Sequence, residues 1–139
     1  MSDAAAIIGL LQTNDLRTEG VLQDRTCYWV AENGAALVGA IGLEPGDDCV
    51  LLRSAIVVPS ERGKGIGRNL TESALEWARS SGYQVAYCFS TDAGDYWTAR
   101  GFSIASVEDV VRAVPHAPQV QLFRRLGWLP TEVAYSIAL

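Results

Sequence analysis

Apolar positions along this chain change period several times, and each change marks the edge of an element. Ile7, Ile8, Leu10 and Leu11 cluster at helical spacing, which predicts a short helix over residues 4–11. Asp15 is placed to cap a further helical stretch running to Leu22. From Cys27 the runs become β-rich: residues 27–31 and 35–43 read as two strands joined through Glu32-Asn33-Gly34, and Asn-Gly is a strong hairpin signal. A second turn, Pro45-Gly46-Asp47-Asp48, leads into an apolar run over 49–58. These three strands form an antiparallel meander.

A change of period follows. From Gly65, Ile66, Leu70, Ala74, Leu75 and Ala78 fall on one side of a helix, with Arg68, Glu72, Glu76 and Arg79 largely on the other, and Ser80-Ser81-Gly82 ends it. Residues 84–90 then read as a strand, and strand, long helix, strand implies a right-handed parallel crossover. A short helix over 93–100, a strand over 102–107 and helical pieces over 109–114 and 119–126 follow, interrupted by Pro115-His116-Ala117-Pro118. Residues 131–139 alternate toward a final strand. The pattern as a whole predicts one α/β domain over residues 1–139, with a helical insertion before its last strand.

Between the third strand and the long helix lies Arg62-Gly63-Lys64-Gly65-Ile66-Gly67-Arg68. The first N–H groups of a helix lack intrahelical acceptors and carry the positive end of its dipole. Three glycines let the backbone approach a ligand closely, and Arg62, Lys64 and Arg68 add full charges, so a diphosphate suits the place. A Walker A loop would need glycine where Val58 stands and Ser or Thr at Gly65, and a dinucleotide fingerprint from Gly63 would need its third glycine at Arg68. Neither fits. What remains, Arg-x-x-Gly-x-Gly from Arg62 to Gly67 after a Val-x-Pro strand end at Val57 to Pro59, resembles the acetyl-coenzyme A loop of the GNAT family of N-acetyltransferases. The alternative is a glycine-rich turn that binds nothing.

That resemblance runs from about residue 4 to the end of the chain, and it implies a mixed, twisted sheet with helices on both faces. In the family a strand usually precedes the first helix. Here there is almost no chain for it, so either it is missing or another edge, such as that of a partner in a homodimer, supplies the pairing. The loop would hold the pyrophosphate of acetyl-coenzyme A, and backbone N–H groups of Ile56, Val57 and Val58 would contact the pantetheine or the acetyl oxygen as an oxyanion device. The acceptor would be the amine of a small molecule or peptide. Gly42-Leu43-Glu44, Leu51-Leu52-Arg53-Ser54 and the Pro-interrupted tail are similar to the members encoded in arsenic-resistance operons, which would make the acceptor a small anionic amine.

Acetyl transfer also needs a base for the amine and a proton for the leaving thiolate. Many relatives place a Tyr four residues before a Gly-Phe pair. This chain has Trp97 there, with Tyr96 just before it, and an indole N–H is too weak an acid to substitute. Tyr96 becomes the candidate acid although it stands about 100° round the helix, and Trp97 reads as core. The position of the family's strand glutamate is Leu51, so the nearest acidic candidates for the base are Glu44, Asp47 and Asp48. Arg53, a charge inside an apolar strand, binds an acidic substrate group or pairs with Glu44. A chain that keeps the loop but lacks the proton donor would instead be a silent acyl-coenzyme A sensor, and a nucleotide-binding α/β domain is a third option.

Composition narrows the classes further. The chain has 139 residues, 49% hydrophobic, with 16 acidic against 11 basic residues and a net charge of −5, which argues against a nucleic-acid surface. Cys27, Cys49 and Cys88 show no CxxC spacing and suit buried thiols in a reducing cytoplasm. The N-terminal apolar run is too short and too soon broken for a signal or membrane helix. The one histidine, His116, suggests a surface loop and no metal site.

Overall fold

The computed structural model describes residues 3–13 and 26–139. The expectation of helix from Asp15 to Leu22 lies outside them. Helix α1 (Asp3–Thr13) precedes strands β1 (Cys27–Asn33), β2 (Ala36–Pro45) and β3 (Cys49–Val57), then α2 (Ile66–Ser80), β4 (Val85–Phe89), α3 (Gly94–Ala99), β5 (Ser103–Ala105), α4 (Val107–Ala113), α5 (Pro118–Leu126) and β6 (Ala134–Ala138). The six strands make one sheet in the order β1-β2-β3-β4-β6-β5. Only β3 and β4 run parallel. Among the described residues no strand precedes α1, and β1 is an outer strand.

Period-two alternation sends side chains to two faces. Ile41, Leu43, Val50, Leu52, Ala86 and Cys88 pack under Leu70, Ala74, Leu75 and Ala78 of α2 and Trp97 of α3. Their neighbours Leu51 and Ala134 face the other way, toward Val110 of α4 and Val120 of α5. Ile7 and Leu11 of α1 cover Tyr28, Val30 and Ile56. Helices therefore cover both faces, as the mixed α/β pattern requires.

Several boundaries differ from expectation for local reasons. The β1–β2 turn is Gly34-Ala35, with Gly34 at φ +66°, and both strands extend past the predicted ends. Strand β5 stops at Ala105 because Ser106 caps α4, its Oγ accepting from the amides of Glu108 at 3.1 Å and Asp109 at 3.4 Å. The helix expected from 109 thus starts at Val107. Strand β6 begins at Ala134, not 131, because Leu129–Thr131 is a 3₁₀ turn containing Pro130.

One buried polar group ties the two ends of the fold together. Glu44, expected to face a cleft as a base, is sealed: its Oε2 accepts from Arg53 Nη1 at 2.8 Å, and its Oε1 from the backbone N–H of Gln119 at 3.0 Å. The side chains of Arg53 and Glu44 are 3% and 1% exposed. Helix α5 has Ala117 as its N-cap and no side-chain cap of its own, so Glu44 caps it from 75 residues away. Gln119 Nε2 adds a bond to the Leu52 carbonyl at 3.2 Å. Burial pushes the Glu44 carboxyl up, while the Arg53 guanidinium and the Gln119 amide pull it back.

Of the two roles foreseen for Arg53, pairing with Glu44 is the geometry present. Replacing Glu44 with Gln removes the charge that this buried guanidinium faces and should lower the unfolding free energy by about 3 kcal/mol. Urea denaturation measures it; an unchanged midpoint would show that the pair contributes nothing.

Candidate functional site

The sheet is open in its middle. Strands β3 and β4 pair from Cys49 with Val85 to Leu52 with Cys88 and no further, although β3 continues to Val57. On its other side β3 stays paired, Ala40 with Ile56 and Gly39 with Val57, and Val58 N–H bonds the Val38 carbonyl at 2.9 Å. A bulge causes the parting: Ser54 and Ala55 together oppose Ile41 alone. Ser54 has φ +57°, a left-handed conformation uncommon for a residue with a Cβ. Its Oγ accepts from Arg53 Nε at 3.0 Å and Tyr28 Oη at 3.3 Å, which holds the turn.

Past the bulge, the β4-facing edge of β3 has no ladder partner among the described residues. A cleft of about 900 Å³ occupies the gap, bounded by Arg53 to Val57, the glycine loop, the end of β4, Tyr96 and Arg100 by α3, and Gln119 and Phe123 of α5. Its size is that of a small-molecule site.

The glycine loop opens into the same cleft. Gly63 and Gly65 have φ +81° and +83°, and a Cβ on either would meet no atom within 4 Å, so backbone conformation alone demands glycine. Gly65 is the N-cap of α2 and offers no side-chain cap; the first helical bond runs from Asn69 N–H to the Gly65 carbonyl at 3.0 Å. The amides of Ile66, Gly67 and Arg68 precede it and have no helical acceptor. Arg62, Gly63, Gly65, Ile66, Gly67 and Arg68 line the cleft, as do Ile56 and Val57. Val58 and Lys64 do not: Val58 bonds to β2, and Lys64 pairs with Glu61 at 3.1 Å on the surface. Arg62 Nε donates to the Val57 carbonyl at 2.9 Å, so part of its role is to fasten the loop.

Both aromatic residues of α3, Tyr96 and Trp97, line the cleft, and their packing differs. Trp97 is 5% exposed and meets Phe102 edge-on at 5.1 Å, anchoring α3 in the core. Tyr96 reaches toward the second turn of α2, where its Oη lies 2.8 Å from Thr71 Oγ1. Thr71 has one hydroxyl proton and donates it to the Gly67 carbonyl at 2.9 Å. Tyr96 is therefore the donor to Thr71. A Cβ on Gly67 would lie 3.3 Å from Tyr96 Oη, a tight contact that would press on the phenol. The Arg100 guanidinium lies 5.5 Å from the centre of the Tyr96 ring, and its buried Nε has no hydrogen-bond partner.

Some lining residues are hard to foresee from the chain alone. Thr71 is a polar residue on the apolar side of α2, a signal that was legible; Asp92 and Glu132 come together only through the fold. Burial pushes the Glu132 carboxyl up, the nearby Asp92 charge adds to this, and the Val133 amide opposes it. Cys88 also lines the cleft, but burial raises its thiol far above its ordinary range, which makes it a poor nucleophile. Cys27 and Cys49 are only partly buried. Among the described residues no group of three His, Cys, Asp or Glu side chains could hold a metal ion. No described helix is long and apolar enough to cross a membrane.

Known proteins agree with this architecture. The N-acetylglutamate synthase of Neisseria gonorrhoeae, solved with coenzyme A and N-acetyl-glutamate, superposes with a TM-score of 0.77 over 100% of this chain and 33% of its own, at 19% identity. A GNAT-family acetyltransferase of Staphylococcus aureus gives 0.75 over 99% of this chain and 93% of its own, at 17% identity. By sequence, the probable N-acetyltransferase camello of Xenopus laevis is 32% identical over 80 residues, 55% of this chain and 36% of that protein. Human N-acetyltransferase 8 is 37% identical over 73 residues, 48% of this chain and 32% of its own length. The matches thus span about a third of these curated relatives. The sequence profile of the Acetyltransferase (GNAT) family matches residues 8–102, more than half of the chain, and the glycine loop and the parted strands lie within that span: the chain belongs to the GNAT acetyltransferase family.

Proposed function

We propose that residues 1–139 form one domain that transfers an acetyl group from acetyl-coenzyme A to the amine of a small molecule or peptide, by direct attack on the thioester. The observation that carries this is the parting of β3 from β4 directly in front of the α2 N-terminus. An extended chain with amide groups of its own can lie against the unpaired strand edge, as an added strand would. Pantetheine is such a chain. Its pyrophosphate then meets the amides of Ile66, Gly67 and Arg68, with the Arg62 and Arg68 side chains beside them. No side chain need polarise the thioester carbonyl, because strand N–H groups at the bulge supply the donors.

When the amine attacks, the C–N bond forms and the C–S bond breaks, and the coenzyme thiolate takes up a proton. Tyr96 is the phenol that lines the cleft. Its proton is turned toward Thr71, so donation requires a rotation of the O–H bond. Thr71 can then turn its own hydroxyl to stabilise the phenolate. Glu44 and Arg53 we assign to the support beneath the cleft. Arg53 is taken up by Glu44, so the acceptor is better inferred from the cleft wall than from the expectation of a small anionic amine. The free thiols of Cys49 and Cys88 suit a reducing, cytoplasmic setting.

Calorimetric titration with coenzyme A, and thiol release from acetyl-coenzyme A with a panel of amines, test this function. Tight coenzyme binding without release on any amine would make the chain a sensor. Gly65→Leu forces a side chain into a left-handed N-cap facing the ligand and should weaken coenzyme A at least about tenfold, a loss of about 1.4 kcal/mol, with the far-UV spectrum unchanged. Tyr96→Phe should lower kcat by about 100-fold and leave coenzyme affinity alone; an unaltered kcat would remove Tyr96 from the mechanism.

A further inference from the structure

The cleft has two ends of opposite character. At the loop end stand Arg62 and Arg68 with the α2 amides. At the other end, on the α5 face, the wall is Leu122, Phe123 and Glu132, with Asp92 nearby. The register fixes the face of Glu132. The Ser90 N–H bonds the Val133 carbonyl at 2.8 Å, continuing the ladder beyond Phe89 with Ala134. Val133 packs against the α2-face core, so Glu132, one residue earlier, turns to the α5 face. It is half-buried, and Phe89 and Phe123 stand ring to ring at 5.5 Å on that same face.

We propose that Glu132 is the carboxylate that receives the acceptor's ammonium group and takes its proton, and that the acceptors are primary amines bearing an apolar or aromatic substituent. This rests on the acetyl-transfer function above and names its substrate class. A coenzyme lying along β3 from the loop fills one end of the cleft, and its acetyl group then faces the end that carries Glu132. A primary amine reaches that end as a cation. One proton passes from its nitrogen to Glu132 and on to solvent. The free lone pair forms the C–N bond, the C–S bond breaks, the sulfur takes the Tyr96 proton, and the second nitrogen proton restores the phenol. Leu122, Phe89 and Phe123 offer the substituent an apolar surface.

The charge around Glu132 suits a base. Burial and Asp92 hold its carboxyl above the ordinary glutamate range, so it binds a proton more readily than a free glutamate near neutrality. The other charged groups lining the cleft are Arg53 of β3, Glu61, Arg62 and Arg68 of the loop, and Arg100 after α3; α5 contributes Gln119, Leu122 and Phe123, none of them charged. Because the active form is deprotonated, kcat/KM should fall on the acid side, at a pH above that of an ordinary glutamate.

The test compares wild type, Glu132→Gln and Glu132→Asp with 2-phenylethylamine, ethanolamine and glutamate as acceptors, over pH. Wild type should prefer 2-phenylethylamine. Glu132→Gln should lose about 100-fold in kcat/KM together with the acid limb, and Glu132→Asp should keep the limb. Calorimetry should show unchanged coenzyme A affinity in Glu132→Gln, and weakened binding of 2-phenylethylamine to its coenzyme A complex. A Gln variant that keeps the wild-type rate and acid limb overturns the role of Glu132, and preference for glutamate overturns the acceptor class. Coenzyme binding by wild type without turnover on any amine would instead defeat the acetyl-transfer function itself.

Discussion

The left-handed turn of Ser54 is the constraint on which the rest of the molecule depends. Two parallel strands in mid-sheet would ordinarily stay bonded along their whole length, since an unpaired buried edge leaves polar groups without partners. The bulge at Ser54 and Ala55 redirects β3 while β2 follows it, so only the β4 side opens. A non-glycine residue in that conformation costs on the order of 1–3 kcal/mol and persists only where its surroundings hold it. Here the hold is visible. Arg53 and Tyr28 both donate to the Ser54 hydroxyl. Tyr28 reaches it across Gly42, where a Cβ would lie 2.6 Å from the ring, so β2 must carry glycine at that position.

The buried Arg53–Glu44 pair extends the same support to the α5 side. Arg53 touches the bulge through Nε and Glu44 through Nη1, and Glu44 in turn caps α5. Bulge, sheet and the helix that walls one end of the cleft are thereby connected through hydrogen bonds to charged groups, which are stronger than neutral ones. Charge along the opening is uneven, in a way that suits the proposed acetyl transfer. Arg62 and Arg68, with Glu61 among them, stand beside the helix amides where a pyrophosphate would lie, and Glu132 and Asp92 stand where a cationic amine would arrive. An acidic protein can thus bind an anionic coenzyme, because the field that matters is local.

The amino-acid sequence by itself determined the order of elements, the meander, the parallel crossover and the glycine loop. Each of these is written in residues close together in the chain: the period of apolar positions, an Asn-Gly pair, and glycines at the two left-handed positions of the loop. The boundaries that moved did so through equally local chemistry, the Ser106 cap and the Pro130 turn. Tertiary structure decided the rest. Tyr96 and Trp97 are adjacent on a helix of 6 residues, too short for its own pattern to fix its phase, and packing of Trp97 on Phe102 set it. Glu44 looked like an exposed strand end, because its partner amide at Gln119 belongs to a distant helix. The bulge gave no glycine to announce it, and Glu132 joins the cleft only because β6 lies against β4. Local geometry is encoded by neighbours along the chain, whereas the environment of a side chain is made by whatever the fold brings to it.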